Sequence, residues 1–497
     1  MAQVVDFNTR SIADYKRFLT LKRVPSYSWK GLQAIVPDEY ASLIGDTQNA
    51  IVNCEYSPSN HCFDYQRDIA ATAIRKRKYA VFADCGMGKT IIQFEVLKHI
   101  LNAELDGKVL LVAPLMVVRQ TVSELAKWYG REIGVDVLRS HEHVQSWCES
   151  NDGERVGITN YESFRDDVRP GNLIGLFLDE SSMLKSHYGK WGLRLIKLGR
   201  GLRWKLAMTG TPAPNDRIEY ANHAVFLDHC RTTNEFLARY FINRGQTQNR
   251  WEIKPHALGP FYRDLSHWCI FLSDPSVYGW SDNCHALPPI HVHREHVELT
   301  DEQRKAVQDL TGTLMVSSVG GIGQRSKLQQ IAKGKWKKAP IPTRKPEHIA
   351  NSIDSWKGES SIVWCHYNDE QDLMERTLPQ AGSITGSTPY QKRCEIIDAF
   401  QSGEITELIS KPSILGFGLN LQVATRQVFN GLTDSYEDYY QAVKRSNRIG
   451  STKPLNVHLP ATEIEEPMIA NVLRKADRVE SDTREQERMF RANAIGI

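Results

Sequence analysis

The stretch Val81-Phe-Ala-Asp-Cys-Gly-Met-Gly-Lys-Thr90 decides the fold of this chain. It starts as an apolar run and passes through a loop of small residues to Gly-Lys-Thr, the order in which a buried strand leads into a phosphate-binding helix. Gly86 and Gly88, with Met87 between them, let backbone N–H groups turn toward an anion. The positive end of the next helix faces the same place. The stretch therefore predicts a nucleotide site.

Two side chains of this loop are expected to act on the nucleotide directly. Lys89 is expected to reach the β- and γ-phosphates, and the Thr90 hydroxyl is expected to bind a magnesium ion. The predicted cofactors are therefore ATP and Mg²⁺.

Bulk composition excludes several classes of protein. The chain has 497 residues, and 62 Lys+Arg against 59 Asp+Glu give a net charge of +3, so any nucleic-acid surface must come from local patches. Nine scattered cysteines predict reduced thiols rather than a disulfide framework. No apolar run approaches the roughly 18 residues of a membrane span, and the N-terminus lacks a signal-peptide pattern. We expect a soluble cytoplasmic enzyme.

Apolar runs that end in polar residues predict an α/β fold. In the first half they begin near Val81, Val109, Gly157, Leu173 and Lys205, with helical segments between them. Such alternation is typical of a parallel sheet with ligands at its carboxyl edge. The pattern pauses between about 216 and 345 and then resumes. The predicted regions are an N-terminal accessory segment (1–60), an ATP-binding lobe (61–225), a helical insertion and linker (226–345), a second lobe (346–462) and a helical tail (463–497).

The pair Asp179-Glu180, at the end of an apolar run, complements the phosphate loop. Asp179 is expected to hold Mg²⁺, and Glu180 to orient and deprotonate the attacking water. Gln66, which lies shortly before the loop and beside Phe63 and Tyr65, is expected to read the adenine edge while an aromatic ring stacks on it.

In the second lobe, the segment Gln441-Ala-Val-Lys-Arg-Ser-Asn-Arg places Arg445 and Arg448 three residues apart, on one predicted helix face. Arginines from a second lobe could stabilise charge on the γ-phosphate and couple hydrolysis to lobe closure. Spacing alone would favour solvated helical arginines, but the presence of two lobes, only one of which has a phosphate loop, favours arginines that act across a cleft.

Taken in order, these motifs resemble the helicases of superfamily two, and most closely the Swi/Snf-type ATPases. The set that carries the resemblance is Gln66, Ala83-Asp-Cys-Gly-Met-Gly-Lys-Thr90, Thr159-Asn-Tyr-Glu, Asp179-Glu-Ser-Ser, Thr209-Gly-Thr-Pro, Gly416-Phe-Gly-Leu-Asn-Leu-Gln and Gln441…Arg445…Arg448-Ile-Gly. The resemblance covers roughly residues 60 to 475. The sequence around Lys411-Pro-Ser-Ile-Leu-Gly resembles that of compact phage and prophage members of the family. This resemblance implies that the protein acts in a bacterial or phage-infected cell.

The resemblance implies two RecA-like lobes that close on ATP and a partner that is double-stranded DNA. It implies that Thr209 and Thr211 link the ATP state to DNA contact and that Gln441 faces the nucleotide. Gly418 is expected to approach the nucleotide cleft, and Asn420 to approach DNA. The loops after Pro114 and Thr159 are expected to contact DNA as well.

Two departures from the family pattern stand out. The acid pair is followed by Ser181 and Ser182 rather than by a small residue and a histidine, so coupling through a histidine at that place is absent. Ser451 stands where a glutamine often ends the last motif.

Several alternatives remain open at this point. A strand-separating helicase acting on forked DNA or on RNA would need the same motifs. A DNA-binding scaffold with a vestigial ATPase core is disfavoured by the intact Lys89, Glu180, Arg445 and Arg448, and a metabolic kinase would not need a second lobe. A metal site at His291 and His293 is disfavoured because no cysteine partner lies at zinc spacing, and a site formed by Cys54 and His61-Cys62 is disfavoured as well.

Overall fold

The computed structural model describes residues 2–22, 24, 27–37, 44, 55–130, 132–165, 168–184, 190–213, 217–245, 251–281, 287–312, 322–356, 358–415, 419–432, 435–448 and 451–493. The chain forms two compact units. The first comprises Met1–Asn283 with Thr483–Ile497, and the second comprises Cys284–Asp482. Within the described ranges, no helix combines the length and the apolar character that crossing a membrane requires.

The first unit is built on a seven-stranded parallel sheet. Its strands are β4 (Lys78–Ala83), β5 (Lys108–Ala113), β6 (Val135–Val137), β7 (Val156–Asn160), β8 (Leu173–Leu178), β9 (Trp204–Thr209) and β12 (Cys269–Leu272), in the spatial order β12-β4-β9-β8-β5-β7-β6. The strands β4, β5, β7 and β9 are buried at every residue, which explains why most of their residues are apolar. The carboxyl ends of β4 and β8 deliver the phosphate loop and the acid pair to one edge.

Helices connect these strands, as a parallel sheet requires. They are α2 (Asp64–Lys76), α3 (Lys89–Ala103), α4 (Leu115–Tyr129), α5 (His141–Glu149), α6 (Lys190–Gly199), α7 (Tyr220–Phe226), α8 (Thr233–Tyr240) and α9 (Leu258–Leu265). A short hairpin pairs β10 (Phe241–Asn243) with β11 (Trp251–Ile253).

The N-terminal segment forms a small antiparallel module. Strands β1 (Ala2–Asp6), β2 (Ser28–Lys30) and β3 (Gln33–Pro37) pair in the order β1-β3-β2, and α1 (Ile12–Leu21) lies between β1 and β2 in the chain. The module has its own apolar core, which includes Val5, Leu21 and Val36.

The second unit contains a six-stranded parallel sheet. Its strands are β13 (Ile290–His296), β16 (Ser361–Trp364), β17 (Gly382–Ser383), β18 (Glu407–Ser410), β19 (Arg426–Phe429) and β20 (Leu455–Ala461), in the order β13-β20-β19-β16-β18-β17. Its helices are α10 (Asp301–Thr311), α11 (Ile322–Ala332), α12 (Lys345–Ser355), α13 (Asn368–Thr377), α14 (Tyr390–Ser402), α15 (Pro412–Leu415) and α16 (Tyr436–Ser446). A two-residue pairing joins β14 (Lys335–Trp336) to β15 (Ala339–Pro340).

The last helix, α17 (Glu466–Asn493), starts in the second unit and ends in the first. At its end, the Glu487 carboxylate accepts hydrogen bonds from the backbone N–H of Ser273 (2.8 Å) and from its hydroxyl (2.5 Å). The Phe490 ring packs edge-on against Phe271, 5.5 Å between centroids. These contacts fix the last turns of α17 against β12 and the segment that follows it.

The prediction of an α/β protein with two parallel-sheet lobes is confirmed. The sequence pattern assigns residues 226–345 to a helical insertion and linker. In the structure this segment contributes β12 to the first sheet and β13 to the second. The seven cysteines in the described residues are all free thiols.

Candidate active site

The phosphate loop lies between β4 and α3. Gly86 and Gly88 have φ values of +90° and +70°, in the region that favours glycine, and Gly88 caps α3. Lys89 Nζ donates hydrogen bonds to the carbonyl oxygens of Ala83 (2.7 Å) and Asp84 (3.2 Å). The ammonium group is thereby held over the loop, at the helix end where the backbone favours anions.

Gln66, in the first turn of α2, lies against this loop. Its Oε1 accepts a hydrogen bond from the Phe63 backbone N–H (3.0 Å), which closes the start of the helix. The neighbouring Tyr65 donates from its hydroxyl to the carbonyl of Met87 (3.2 Å), and Phe63 stacks on the Tyr65 ring at 5.8 Å. A Cβ placed on Gly88 would overlap Gln66 Nε2. The predicted adenine reader is therefore in contact with the loop.

Asp179 and Glu180 follow β8 directly, and both are buried. The Asp179 N–H donates to the Val112 carbonyl of β5 (2.8 Å), and the Tyr161 hydroxyl donates to the Asp179 carbonyl (2.6 Å). The Glu180 N–H donates to Asp179 Oδ1 (3.0 Å). Glu180 has a φ of +50°, which is costly for a residue with a Cβ. The acid pair therefore sits in a constrained turn held by β5 and Tyr161.

Burial raises the pKa of Asp179 to about 7, and the neighbouring Glu180 carboxylate acts in the same direction. The Lys89 ammonium opposes this rise in the pKa of Asp179. A divalent cation would keep the Asp179 carboxylate ionised. The carboxylate of Asp179 and the hydroxyl of Thr90 are hard oxygen ligands of the type Mg²⁺ prefers, so these residues fit that ion.

Thr209 connects the acid pair to the loop after β9. Its hydroxyl donates to Glu180 Oε2 (3.3 Å) and accepts a hydrogen bond from the Thr211 backbone N–H (3.1 Å). Thr209 is fully buried in this structure, and its role in linking the ATP state to DNA contact stays a prediction. Its contacts are those of a residue that supports Glu180.

The loop after Thr159 is also expected to contact DNA, and this too stays a prediction. This residue is fully buried in β7, and its hydroxyl donates to the Leu138 carbonyl (2.8 Å). Pro114 and Thr211 are half-buried, so both keep some surface exposed to solvent. Direct DNA contact by these two residues stays a prediction.

The second unit brings together residues of two predicted motifs. Arg445 Nε donates to the Gln441 carbonyl one turn earlier (3.0 Å), and both residues are buried. The Arg445 carbonyl accepts from the Leu421 N–H (3.0 Å). Arg448 Nη1 donates to the Leu419 carbonyl (3.1 Å). The segment 419–421 is therefore held against the end of α16.

The prediction that Arg445 and Arg448 share a helix face is wrong. Helix α16 ends at Ser446, and Arg448 lies in the turn beyond it. Ser451 stabilises this turn, because its hydroxyl accepts from the Arg448 N–H (3.2 Å) and donates to the Ser446 carbonyl (2.9 Å). Asn420 is exposed, as a DNA-contacting residue would need to be. Gly418 lies outside the described residues.

Sequence reasoning missed two residues next to the acid pair. Tyr161 belongs to the motif Thr159-Asn-Tyr-Glu, so its position was a usable signal. His223 lies in the apolar helix α7, and its Nε2 is 3.0 Å from the Ser181 hydroxyl. No local pattern indicates that contact.

One group of potential metal ligands occurs within the described ranges: His61, Cys62 and Glu95, with ligand atoms within 4.8 Å of one another. The Glu95 carboxylate already accepts hydrogen bonds from Tyr56 (2.7 Å), Tyr129 (2.8 Å) and both the N–H and the hydroxyl of Ser59. Burial raises the pKa of Cys62 to about 11, which disfavours the thiolate a metal would need. The group is better explained as an anchor for the segment before α2.

Fold and site together define a P-loop nucleotide-binding protein with two parallel-sheet lobes. The family model described as "SNF2-related domain" matches residues 73–246, and the model described as "Helicase conserved C-terminal domain" matches residues 344–450. The two models follow each other in the chain, one on each sheet, and together cover more than half of it. The chain belongs to the Swi/Snf-type helicases of superfamily two.

The curated relatives share less than a quarter of their aligned residues with this chain. The chain is 22% identical over 448 residues to the "ATP-dependent DNA helicase DDM1" of Arabidopsis thaliana and 23% identical over 454 residues to the "DNA repair and recombination protein RAD54-like" of Danio rerio. The matches include 76% and 78% of this chain but only 55% and 61% of those proteins. The special likeness to phage members stays a prediction.

Among solved structures, the chain is similar to the Sulfolobus solfataricus SWI2/SNF2 ATPase core in complex with dsDNA. The match is 20% identical and covers 87% of this chain and 96% of that one, with a TM-score of 0.39. Family membership rests on the two family models and not on this likeness.

Proposed function

We propose that this chain hydrolyses ATP and uses the energy to move along double-stranded DNA. One observation carries the proposal. Lys89 of the phosphate loop and the Asp179-Glu180 pair follow β4 and β8 and therefore lie at the same carboxyl edge of one parallel sheet. A phosphate chain bound at the loop would therefore lie beside both a metal-binding carboxylate and a general base.

Each residue of the first lobe has a defined task in this proposal. The N–H groups of 86–88 and the Lys89 ammonium bind the phosphates, and Gln66 reads the adenine edge. Thr90 and Asp179 hold Mg²⁺, which would polarise the phosphoryl oxygens when bound. Glu180, positioned by Thr209 and by its own strained backbone, orients the attacking water and takes its proton.

The roles of the second lobe rest on the resemblance to the family. Gln441 is proposed to face the nucleotide, and Arg445 and Arg448 to stabilise charge on the transferred phosphoryl group. Arg445 and Arg448 are hydrogen-bonded to the segment 419–421, which includes Asn420. The proposed nucleotide contacts and the proposed DNA contact of this lobe would therefore be directly connected.

The names of the two curated relatives support DNA as the polymer, since one is described as a DNA helicase and the other as a DNA repair and recombination protein. Pro114, Thr211 and Asn420 are the proposed contact residues with solvent-accessible surface. Contacts to the phosphate backbone should dominate, which predicts salt-sensitive binding with little sequence preference.

The test combines ATP hydrolysis with a displacement assay. Hydrolysis by the wild type and by Lys89→Ala is measured without polymer and with single-stranded, duplex and forked DNA and RNA. A third strand bound to plain duplex then reports translocation, because it is displaced without separation of the duplex strands. Duplex-stimulated hydrolysis with third-strand displacement, both abolished in Lys89→Ala, is the expected result. Stimulation mainly by forks with strand separation would favour an unwinding helicase, and no hydrolysis at all would favour a scaffold.

A further inference from the structure

Glu180 needs external support to keep its conformation. A φ of +50° is unfavourable for a non-glycine residue, so such a residue is stable only where its surroundings fix it. Tyr161 and Val112 fix the backbone of Asp179 on one side. On the other side, the chain continues into a single 3-10 turn, Ser181–Leu184. Whatever holds this turn also limits the movement of Glu180.

Helix α7 holds both ends of the turn. The Ser181 hydroxyl lies 3.0 Å from His223 Nε2, and both residues are fully buried. The adjacent Asn222 donates from Nδ2 to the Leu184 carbonyl (2.5 Å) and is also buried. Two neighbouring side chains of one helix therefore bind the first and the last residue of the turn that follows the general base.

The His223 ring also contacts the strand that leads to the phosphate loop. The Phe82 ring of β4 lies edge-on to the imidazole, with 5.2 Å between centroids. Burial lowers the pKa of His223 to about 4, so the imidazole is neutral near pH 7. A neutral imidazole offers one donor and one acceptor nitrogen, and either can pair with a serine hydroxyl.

We propose that His223 is a positioning residue for Glu180. Through Ser181 it fixes the turn after the acid pair, and through α7 it joins that turn to the segment that follows Thr209. The acid pair of this chain is followed by two serines where the family pattern has a histidine in second place. In this structure the imidazole of His223, which belongs to α7, contacts the turn that follows the acid pair. The inference rests on the proposed ATPase function of the site.

A double-mutant cycle separates positioning from mere packing. Ser181→Ala and His223→Leu each leave a buried polar group without its partner and should lower both stability and kcat, the latter about tenfold. The double variant leaves two apolar groups and should regain most of the lost stability. We expect the kcat of the double variant to stay about tenfold below that of the wild type, with the KM for ATP within twofold of wild type.

His223→Gln, which can still form a hydrogen bond with Ser181, should recover most of kcat. A double variant that regains both stability and kcat would overturn the proposal.

The control is His229→Leu, because His229 is equally buried in the same unit but its ring stacks on Trp268, 5.6 Å away. It should leave kcat unchanged. Amide hydrogen exchange in peptides that contain residues 180–184 supplies a readout independent of hydrolysis. Exchange there should be at least several-fold faster in Ser181→Ala and His223→Leu than in wild type and His229→Leu. Equal exchange would refute the positioning role even if the wild type hydrolysed no ATP, whereas absent hydrolysis alone would refute only the proposed function.

Discussion

The amide of Gln66 fills the space beside the Cα of Gly88. A Cβ at residue 88 would lie well under 3.0 Å from Gln66 Nε2, and Gly88 also has a φ of +70°. Two independent constraints therefore require glycine here, one from the backbone and one from the neighbouring helix. The close approach places the predicted adenine reader directly on the phosphate loop.

Gly88→Ala should therefore destabilise the chain more than backbone strain alone would. Alanine in a left-handed conformation costs roughly 1–2 kcal/mol, and displacing the Gln66 amide from its hydrogen bond with the Phe63 N–H should add about as much again. We expect a loss of about 2–4 kcal/mol in the free energy of unfolding from urea titration, together with a raised KM for ATP.

Gly201→Ala is the matched control, because Gly201 has a φ of +78° and a Cβ added there would have no heavy atom within 4 Å. Gly201→Ala should lower the free energy of unfolding only by the cost of backbone strain, and it should leave the KM for ATP unchanged. Combining Gly88→Ala with Gln66→Ala should reduce the cost of the alanine at 88 to that of Gly201→Ala. Equal costs for the two single glycine variants would contradict the overlap.

Much of the fold could be predicted because the signals are local. Buried parallel strands such as β5 and β8 are short apolar runs, and each leads into polar residues at the edge where ligands bind. The phosphate loop and the acid pair follow two of these strands directly. Their meeting at one edge follows from parallel topology, so spacing along the chain was sufficient to predict it.

The remaining features depend on contacts distant in sequence. Ser181 and His223 are 42 positions apart, and His223 sits in a helix whose apolar sequence predicts only burial. The strand β12 is four residues long, and such short apolar runs are not distinguished from helix by periodicity. The end of α16 before Arg448 depends on the Ser451 hydroxyl, which bonds the turn from outside the helix.

Glu95 should be essential for the stability of the first lobe. It is fully buried in α3, and hydrogen bonds from Ser59, Tyr56 and Tyr129 hold its pKa below the usual range although burial alone would raise it. Glu95→Gln removes the charge that these donors stabilise, so we expect a loss of about 2–4 kcal/mol in the free energy of unfolding. Glu149→Gln, at an exposed site where the carboxylate accepts a hydrogen bond from Gln145, should change it by less than about 0.5 kcal/mol. Similar losses for both would contradict the anchoring role.

In the second lobe, Lys345 and Glu465 form a buried ion pair at 2.6 Å, with both side chains shielded from solvent. Glu465 also accepts hydrogen bonds from the N–H and the hydroxyl of Thr462. Lys345→Met or Glu465→Leu leaves an unpaired buried charge and should cost about 3–5 kcal/mol. The double variant should cost at least about 2 kcal/mol less than the sum of the two.

The exposed pair Lys392–Glu395, at 3.4 Å, provides the comparison for this cycle. Its side chains are 63% and 55% accessible, so solvent screens the interaction and the coupling energy should not exceed about 0.5 kcal/mol. Equal coupling in the two cycles, measured by urea unfolding, would show that burial of the Lys345–Glu465 pair has no energetic consequence.

Three buried histidines of the first lobe should make the protein acid-sensitive. Burial lowers the pKa of His223 and of His267 to about 4, and it lowers the pKa of His229 well below the ordinary value of 6.5. Between about pH 6.5 and 4 the unfolded chain therefore binds protons that the folded chain does not, so stability is complete above pH 6.5 and falls as the pH is lowered. For His223 the loss between pH 7 and pH 5 should be about 2 kcal/mol. Urea unfolding at the two pH values should show that the Ser181→Ala/His223→Leu double variant loses less stability than the wild type by this amount, and an unchanged difference would mean that His223 is not buried as a neutral imidazole.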